Sequence, residues 1–113
     1  MTPKPASVTD SLTQELRRGA LVLAILSRLR DEHYGYALRE SLSLQGLAVP
    51  EGTLYPLLRR LESQGLLESR WQLGEGRPRR YYRTSKAGAR TLATMTREWG
   101  SLTQVMDSLL HDN

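Results

Sequence analysis

The sequence contains no cysteine and only two histidines, and these shortages exclude several classes of protein. Without cysteine, the chain forms neither disulfides nor thiolate metal sites. The two histidines, His33 and His111, lie 78 positions apart and make a poor ligand set. We therefore expect no metal centre and no cofactor.

Long apolar runs are also absent. The chain has no run of the roughly 18 apolar residues that a membrane span needs. Its N-terminal MTPKPASVTD lacks the basic and then apolar plan of a secretory signal peptide. We expect a cytoplasmic protein without membrane contact, and 113 residues leave room for one domain.

Features of an enzyme are missing from the sequence. No spacing pairs a nucleophile with a base, and no glycine-rich loop is placed to cradle a phosphate. The glycines of GEGRP lie between two predicted strands instead of between a strand and a helix. An enzyme is therefore not expected.

Positive charge is concentrated in one region of the chain. The net charge is +4, but residues 50–90 hold nine basic and four acidic side chains, a net +5. Residues 76–90 carry six basic side chains and no acidic one: Arg77, Arg79, Arg80, Arg83, Lys86 and Arg90. Such a patch fits a polyanion such as nucleic acid. The alternative is a solvated basic face.

The first half of the chain predicts a flexible arm and two helices. Residues 1–10 contain two prolines and no apolar periodicity, which indicates the arm. From Ser11 to about Arg30, leucines, isoleucine and valine cover more than one face of a helix, which therefore needs several packing partners. YGYALRESLSL predicts a second, short helix, which Gly46 and Pro50 separate from the next.

The clearest helix is PEGTLYPLLRRLESQG. Four leucines form an i, i+3, i+4, i+7 stripe, and Gly65 follows as a stop: Leu54, Leu57, Leu58 and Leu61. Pro56 leaves the Gly52 carbonyl without its helical partner. This arrangement is tolerable where the carbonyl faces water, so that side of the helix is predicted to be exposed.

Two strands and a long helix complete the predicted order. Leu67, Trp71 and Leu73 share one side of the first strand. GEGRP forms the turn, where Gly74 and Gly76 permit positive φ, and RRYYRT forms the second strand. Ser85 is placed to cap the last helix. The order predicts a mainly α fold with a small β-hairpin: a winged helix-turn-helix domain over residues 11–84 and a C-terminal dimerisation helix over residues 85–113.

Four stretches in this order resemble the PadR-like transcriptional regulators: GALVLAILSRL, YGYALRESL, GTLYPLLRRLESQGLL and GRPRRYYRTSKAG. The resemblance covers residues 17–99. Thr84 stands where the family usually has an apolar residue, and Ser85 where it usually has threonine. The resemblance implies a repressor of the family's shorter architecture, with one C-terminal helix. It does not give the operator sequence.

A helix-turn-helix protein inserts its second motif helix into the major groove. With its leucines in the core, the helix from Pro50 presents candidate DNA-contacting residues: Glu51, Gly52, Thr53, Tyr55, Pro56 and Arg59. Tyr55 contacts DNA or is partly buried with its hydroxyl in water. The resemblance implies that Tyr36 touches a phosphate, and packing beside Tyr34 is the alternative.

The hairpin would supply the remaining DNA contacts. Arg77 and Arg79 are the first candidates for contacts to phosphates or to a narrow minor groove, followed by Arg80 and Arg83. Tyr82 is predicted to point inward. Arg60 and Glu62 are predicted to be simply solvated.

The last helix carries a heptad-like apolar seam at spacings of 3, 4, 3, 4 and 3: Leu92, Met95, Trp99, Leu102, Met106 and Leu109. A seam on a helix about 39 Å long needs a partner, so we predict a homodimer, with this helix packed against the partner's first helix. Two-fold symmetry predicts a palindromic operator with half-sites about 10 bp apart.

In multidrug-sensing relatives, a tryptophan on this helix lines a cavity between subunits. The resemblance therefore makes Trp99, Met95, Leu102 and Met106 candidate residues for binding a small aromatic or apolar effector, and burial of Trp99 in the seam is the alternative. A different function for the whole chain is a winged-helix protein–protein interaction module without specific DNA binding.

Overall fold

The computed structural model describes residues 5–111, with side chains from residue 7 onward. Its elements, in chain order, are α1 (Pro5–Arg28), β1 (His33–Tyr34), α2 (Gly35–Leu44), α3 (Glu51–Ser63), β2 (Leu67–Gly74), β3 (Arg77–Thr84) and α4 (Lys86–His111). The order confirms the predicted mainly α fold of the winged helix-turn-helix type. None of the helices in these residues is both long enough and apolar enough to cross a membrane.

The first helix begins earlier than predicted. α1 starts at Pro5 instead of Ser11, so residues 5–10 of the predicted flexible arm are helical, and residues 1–4 lie outside the described residues. Proline suits the first position of a helix because its φ is already fixed there and its missing N–H would have no partner. The helix ends at Arg28, two residues before the predicted end.

One core joins all the helices to the sheet. The predicted stripe of α3 is confirmed, because Leu54, Leu58 and Leu61 are buried together with Leu57. They pack with apolar side chains from α1 and the turn after it, α2, the α2–α3 loop, the sheet and α4: Leu21, Ile25, Leu26, Leu29, Leu38, Leu42, Val49, Leu67, Tyr82 and Leu92. This packing fixes α3 and the hairpin relative to each other.

The hairpin is part of a three-stranded antiparallel sheet with the strand order β1-β3-β2. The short strand β1 was not predicted, and it pairs His33 with Tyr82 and Tyr34 with Tyr81. β2 and β3 pair from Leu67↔Thr84 to Gly74↔Arg77. The pairing therefore attaches the start of α2 directly to the hairpin.

The turn of the hairpin is tighter than predicted. Only Glu75 and Gly76 lie between the strands, with φ of 47° and 86°, and Pro78 belongs to β3. Two successive positive φ values are typical of a type I′ turn, whose twist matches that of the strands. Of the two glycines that permit positive φ, Gly76 adopts it and Gly74 does not, and Glu75 is the other residue of the turn with positive φ.

The junction between β3 and α4 is held by both departures from the family pattern. The Thr84 hydroxyl donates to the Leu26 carbonyl at 2.8 Å. The Ser85 hydroxyl donates to the Gly65 carbonyl at 2.6 Å and accepts from the Gly88 N–H at 3.0 Å, which confirms the predicted cap. Gly88 lies against the Leu66 carbonyl, where a side chain would overlap it. These contacts anchor the start of α4 to the domain.

Candidate nucleic-acid interface

The solvent-facing side of α3 is built as the sequence predicts. With its four leucines in the core, Gly52, Thr53, Pro56 and Arg59 are exposed. Glu51 is also exposed, but its carboxylate accepts from Arg39 at 3.1 Å. The Arg39 Nε donates to the Val49 carbonyl at 2.8 Å, so this arginine ties α2 to the start of α3. The exposed side of α3 therefore combines small residues, a hydroxyl and the guanidinium groups of Arg59 and Arg60.

Tyr55 lies at the edge of this face and is only half exposed. Its ring lies so close to Gly35 that a Cβ at that position would overlap it. The ring also packs against the core. The burial favours the interpretation of Tyr55 as a partly buried aromatic residue, and a contact from its hydroxyl to DNA stays a prediction.

Tyr36 is the exposed residue of a small aromatic cluster at the start of α2. Its ring stacks with Tyr34 at 6.4 Å between centroids. Its hydroxyl donates to Glu40 at 3.0 Å, and this hydrogen bond, with the nearby carboxylate charge, raises the pKa of Tyr36. The hydroxyl stays protonated near neutral pH and could exchange Glu40 for another acceptor, as a phosphate contact requires.

The hairpin presents its arginines in different ways. Arg77 at the tip is exposed and forms no ion pair within residues 5–111. The Arg79 guanidinium lies 4.6 Å from the centroid of the Tyr34 ring and 3.8 Å from the Glu75 carboxylate. Of the two first candidates, Arg77 is the one without a competing partner in the described residues.

Arg80 is placed differently from the prediction, because it bonds within the domain. Its guanidinium donates to Glu62 of α3 at 2.7 Å and to the Ser69 hydroxyl at 3.0 Å. Ser69 in turn donates to Glu62. The prediction that Glu62 is simply solvated is therefore wrong. Arg80 fixes the hairpin to the end of α3, which lowers its suitability as a DNA contact.

A second network, which no sequence pattern indicated, lies on the outer face of the sheet. Arg70 donates to both Glu32 oxygens, at 2.8 and 2.5 Å, and lies 5.2 Å from the Tyr81 ring centroid. Tyr81 packs edge-on against Tyr34 at 5.6 Å. The hydrogen bond from Arg70 lowers the pKa of Glu32. The hairpin pairs Arg70 with Tyr81, and β1 brings Tyr34 and the adjacent Glu32 to this pair, so no local pattern in the sequence could have found the network.

Tyr82 and Arg83, neighbours in β3, differ in their exposure. Tyr82 is buried as predicted, and burial raises the pKa of its hydroxyl. Arg83 forms an exposed ion pair with Glu68 at 3.1 Å, so its charge is partly balanced. The least balanced positive charge of the hairpin is therefore at its tip.

The predicted seam of α4 divides into two parts. Leu92 is buried in the core of its own chain, so it is not free to contact a partner, and Met95 is partly buried beside it. The rest of the seam is exposed: Trp99 52%, Leu102 54%, Met106 42% and Leu109 66%. Leu92 belongs to the domain because the junction at Ser85 holds the first turns of α4 against the core.

Comparisons with known proteins agree with this geometry. The model of the "Transcriptional regulator PadR-like family" matches residues 22–94. The chain is 45% identical over 80 residues to the transcriptional regulator Rv3488 of Mycobacterium tuberculosis, covering 70% of this chain and 75% of that relative.

Solved structures give the same picture. A PadR family transcriptional regulator from Eggerthella lenta superposes with a TM-score of 0.86 at 47% identity, covering 96% of each chain. A PadR-like transcriptional regulator from Bacillus cereus superposes with a TM-score of 0.78 at 30% identity, covering 88% of this chain and 99% of that one. The chain belongs to the PadR-like family and is a DNA-binding transcriptional regulator, not an enzyme.

Proposed function

We propose that the protein is a cytoplasmic, homodimeric repressor that binds a palindromic duplex operator and is released from it by a small aromatic or apolar effector. The observation that carries this proposal is the position of the exposed α3 face beside the arginine-bearing hairpin, on a domain whose last helix is left without a partner. The family supports DNA binding, and the residue roles below are inferred from exposure and contacts.

The operator would be read by α3 and held by the hairpin. Gly52 allows close approach of the backbone, and Thr53 can bond a base edge or contact a thymine methyl group. Arg59 and Arg77, both exposed, are suited to phosphates. Tyr36, Tyr55 and Arg79 adjoin this surface but already have partners in the domain, so we expect smaller contributions from them. Arg80 is expected to position the hairpin instead of contacting DNA.

The dimer would form through the two helix ends that the domain leaves uncovered. α4 exposes Trp99, Leu102, Val105, Met106, Leu109 and Leu110. The first half of α1 exposes Val8, Leu12 and Leu16, at 46%, 60% and 80%. Packing of α4 on the partner's α1 would bury both stripes, and two-fold symmetry would use each stripe twice.

The effector would bind where two copies of α4 approach each other. Trp99 offers a flat aromatic face, and Met95, Leu102 and Met106 offer adaptable walls. An effector that favours a dimer geometry with different α3 spacing would weaken operator binding. Titration of aromatic compounds against Trp99 fluorescence, in a protein whose other tryptophan is replaced by Trp71→Phe, tests this. No saturable change across phenolic and cationic aromatic compounds would count against an effector site.

Binding-site selection from random duplex DNA with the purified protein tests the main proposal. We expect enrichment of a palindrome with half-sites about 10 bp apart, the distance that places two α3 helices in successive major grooves. A Thr53→Ala variant should relax the preference at one position of each half-site. Failure of the wild-type protein to enrich any motif at moderate salt would contradict the proposal.

A further inference from the structure

A groove of about 510 Å³ lies between α1, the α2–α3 loop and α3, and no residue of the hairpin lines it. Its polar lining consists of Gln14, Arg17, Arg18, Thr53 and Arg60, and no carboxylate lines it. Leu21 and Pro56 belong to its apolar floor. Each of the five polar side chains can donate a hydrogen bond, so the groove is suited to an anion.

The three arginines of this groove differ from most arginines near the hairpin. Five ion pairs occur in residues 5–111, and they involve Arg39, Arg70, Arg79, Arg80 and Arg83. Within the same residues, Arg17, Arg18 and Arg60 have no carboxylate partner. Three positive charges side by side without an acidic residue repel one another, and an external anion would relieve that repulsion.

The position of the groove on α3 points to a particular anion. At 100° per residue, Thr53 and Arg60 project from one flank of α3, and Tyr55 and Glu62 project from the other. The second flank adjoins the hairpin, because Glu62 bonds Arg80. When a helix enters the major groove, a phosphate backbone runs along each of its flanks. The hairpin can serve only one of these two backbones.

We propose that the groove formed by Arg17, Arg18 and Arg60 binds backbone phosphates of the operator on the wall of the major groove opposite the hairpin. This inference rests on the proposed function, since it requires α3 to lie in the major groove. The arginines of α1 and α3 and those of the hairpin then hold the duplex from both sides, and this fixes the depth and register of α3. Gln14 adds a neutral donor to the same backbone.

The salt dependence of binding to the selected operator tests the proposal. Removal of one side chain that binds a phosphate should lower the slope of log K against log salt by about 0.9. Because a palindrome uses both protomers, Arg60→Ala should lower the slope by about two, and the double variant R17A/R18A by up to about four. Arg97→Ala, at an exposed arginine of α4 outside both the groove and the basic patch, removes the same charge and should leave the slope nearly unchanged. Thermal unfolding of each variant shows whether it is folded.

Neutral phosphate analogues locate the contact. Single methylphosphonates placed along both backbones of a half-site should weaken wild-type binding about three- to tenfold at the contacted phosphates. At the phosphates bordering the flank away from the hairpin, Arg60→Ala should be insensitive to the same replacement, while Arg77→Ala remains sensitive. This pattern would support the proposal.

Two outcomes would overturn it. If Arg60→Ala and R17A/R18A bind like Arg97→Ala while Arg77→Ala is weakened, the protein is a DNA-binding regulator but the groove does not hold the backbone. If the groove binds a small organic anion instead of DNA, the groove variants would likewise keep the wild-type salt slope and the wild-type sensitivity to methylphosphonates. If the wild-type protein binds no specific duplex, the proposed function fails and this inference fails with it.

Discussion

Two regions of the molecule treat their apolar side chains in opposite ways. Residues 20–95, here called the closed domain, contain the whole buried core, from Leu21 to Leu92. The helix ends, defined as residues 7–19 of α1 and 96–111 of α4, are exposed throughout yet carry nine large apolar side chains. Stripes of large exposed apolar side chains of this kind are typical of interaction sites. The closed domain is therefore complete in one chain, whereas the helix ends expose the apolar stripes that the proposed dimer would cover.

The largest expected effect comes from placing charge on the helix ends. In the double variant L102D/M106D, two carboxylates would lie in the dimer seam, and symmetry repeats them. We expect the dimer to be weakened by about 4 kcal/mol, roughly a thousandfold in its dissociation constant. The closed domain should stay folded because both side chains are exposed in the single chain. Sedimentation equilibrium measures the dimer, and circular dichroism measures the fold.

A matched control variant separates the effect of charge in the seam from the effect of added charge alone. The double variant Q104D/S108D carries the same charges with the same i, i+4 spacing on the opposite side of the helix. It should dimerise like the wild-type protein. If L102D/M106D dimerises equally well, the exposed stripe is not the dimer seam, and the contrast between the two regions has another cause.

The next largest effect is expected at Leu92, near the boundary between the closed domain and the exposed end of α4. Leu92 is 5% exposed and packs in the core, so Leu92→Ala should destabilise the closed domain by about 2–4 kcal/mol. Urea unfolding in the monomeric L102D/M106D background measures this without a contribution from dimerisation. In a monomeric background made by Met106→Asp alone, Leu102→Ala should change stability by less than about 0.5 kcal/mol. Loss of dimer affinity by Leu92→Ala without loss of monomer stability would contradict this boundary.

The elements of the closed domain were largely predictable from local patterns. The leucine stripe of α3, the glycine stop at Gly65 and the cap at Ser85 each have a local physical cause, and each is present in the structure. β1 was missed because two residues carry no periodicity, and their strand exists only by pairing with β3. The start of α1 was missed because a proline can begin a helix as well as mark an irregular arm.

The candidate interface was less predictable than the fold. The sequence places arginines on the hairpin, but it does not show which of them already have a partner. Arg80 finds Glu62 across 18 residues of sequence, and Arg70 finds Glu32 across 38 residues. Such pairs depend on how α3 and β1 meet the sheet, so exposure and charge at a site follow from tertiary packing. Heptad spacing alone assigned Leu92 to the seam, and only the packing of α4 on the core shows that Leu92 is buried.

Within the closed domain, an arginine that forms an ion pair should contribute to stability, and an arginine without one should contribute to DNA binding. Arg80→Ala removes the bonds to Glu62 and Ser69, and we expect a loss of about 1 kcal/mol in unfolding free energy, since the pair is partly exposed. Arg77→Ala should change stability by less than about 0.5 kcal/mol but weaken operator binding and lower its salt slope by about two per dimer. Chemical denaturation and salt-dependent binding assays measure the two effects. Equal stability losses in both variants would contradict the distinction.

The smallest expected effect is the pH dependence of the Glu32–Arg70 pair. Because the hydrogen bond from Arg70 lowers the pKa of Glu32, the pair stabilises the folded state above the ordinary pKa of glutamate. That contribution is lost as pH falls through the lowered value of the folded state. In Glu32→Gln, the stability difference from wild type should therefore be largest near neutral pH and shrink as the pH falls below the ordinary pKa of glutamate. Glu98→Gln, at an exposed glutamate without an ion pair in the described residues, controls for the loss of one charge.

The same experiment tests whether the closed domain is complete in one chain. Glu32 and Arg70 both lie in the closed domain, so the difference between wild type and Glu32→Gln should vary with pH in the same way in the dimer and in the monomeric L102D/M106D background. Urea unfolding at several pH values in both backgrounds measures it. A pH dependence that disappears in the monomer would mean that the pair forms only when the helix ends are covered, and the closed domain would then not be complete in one chain.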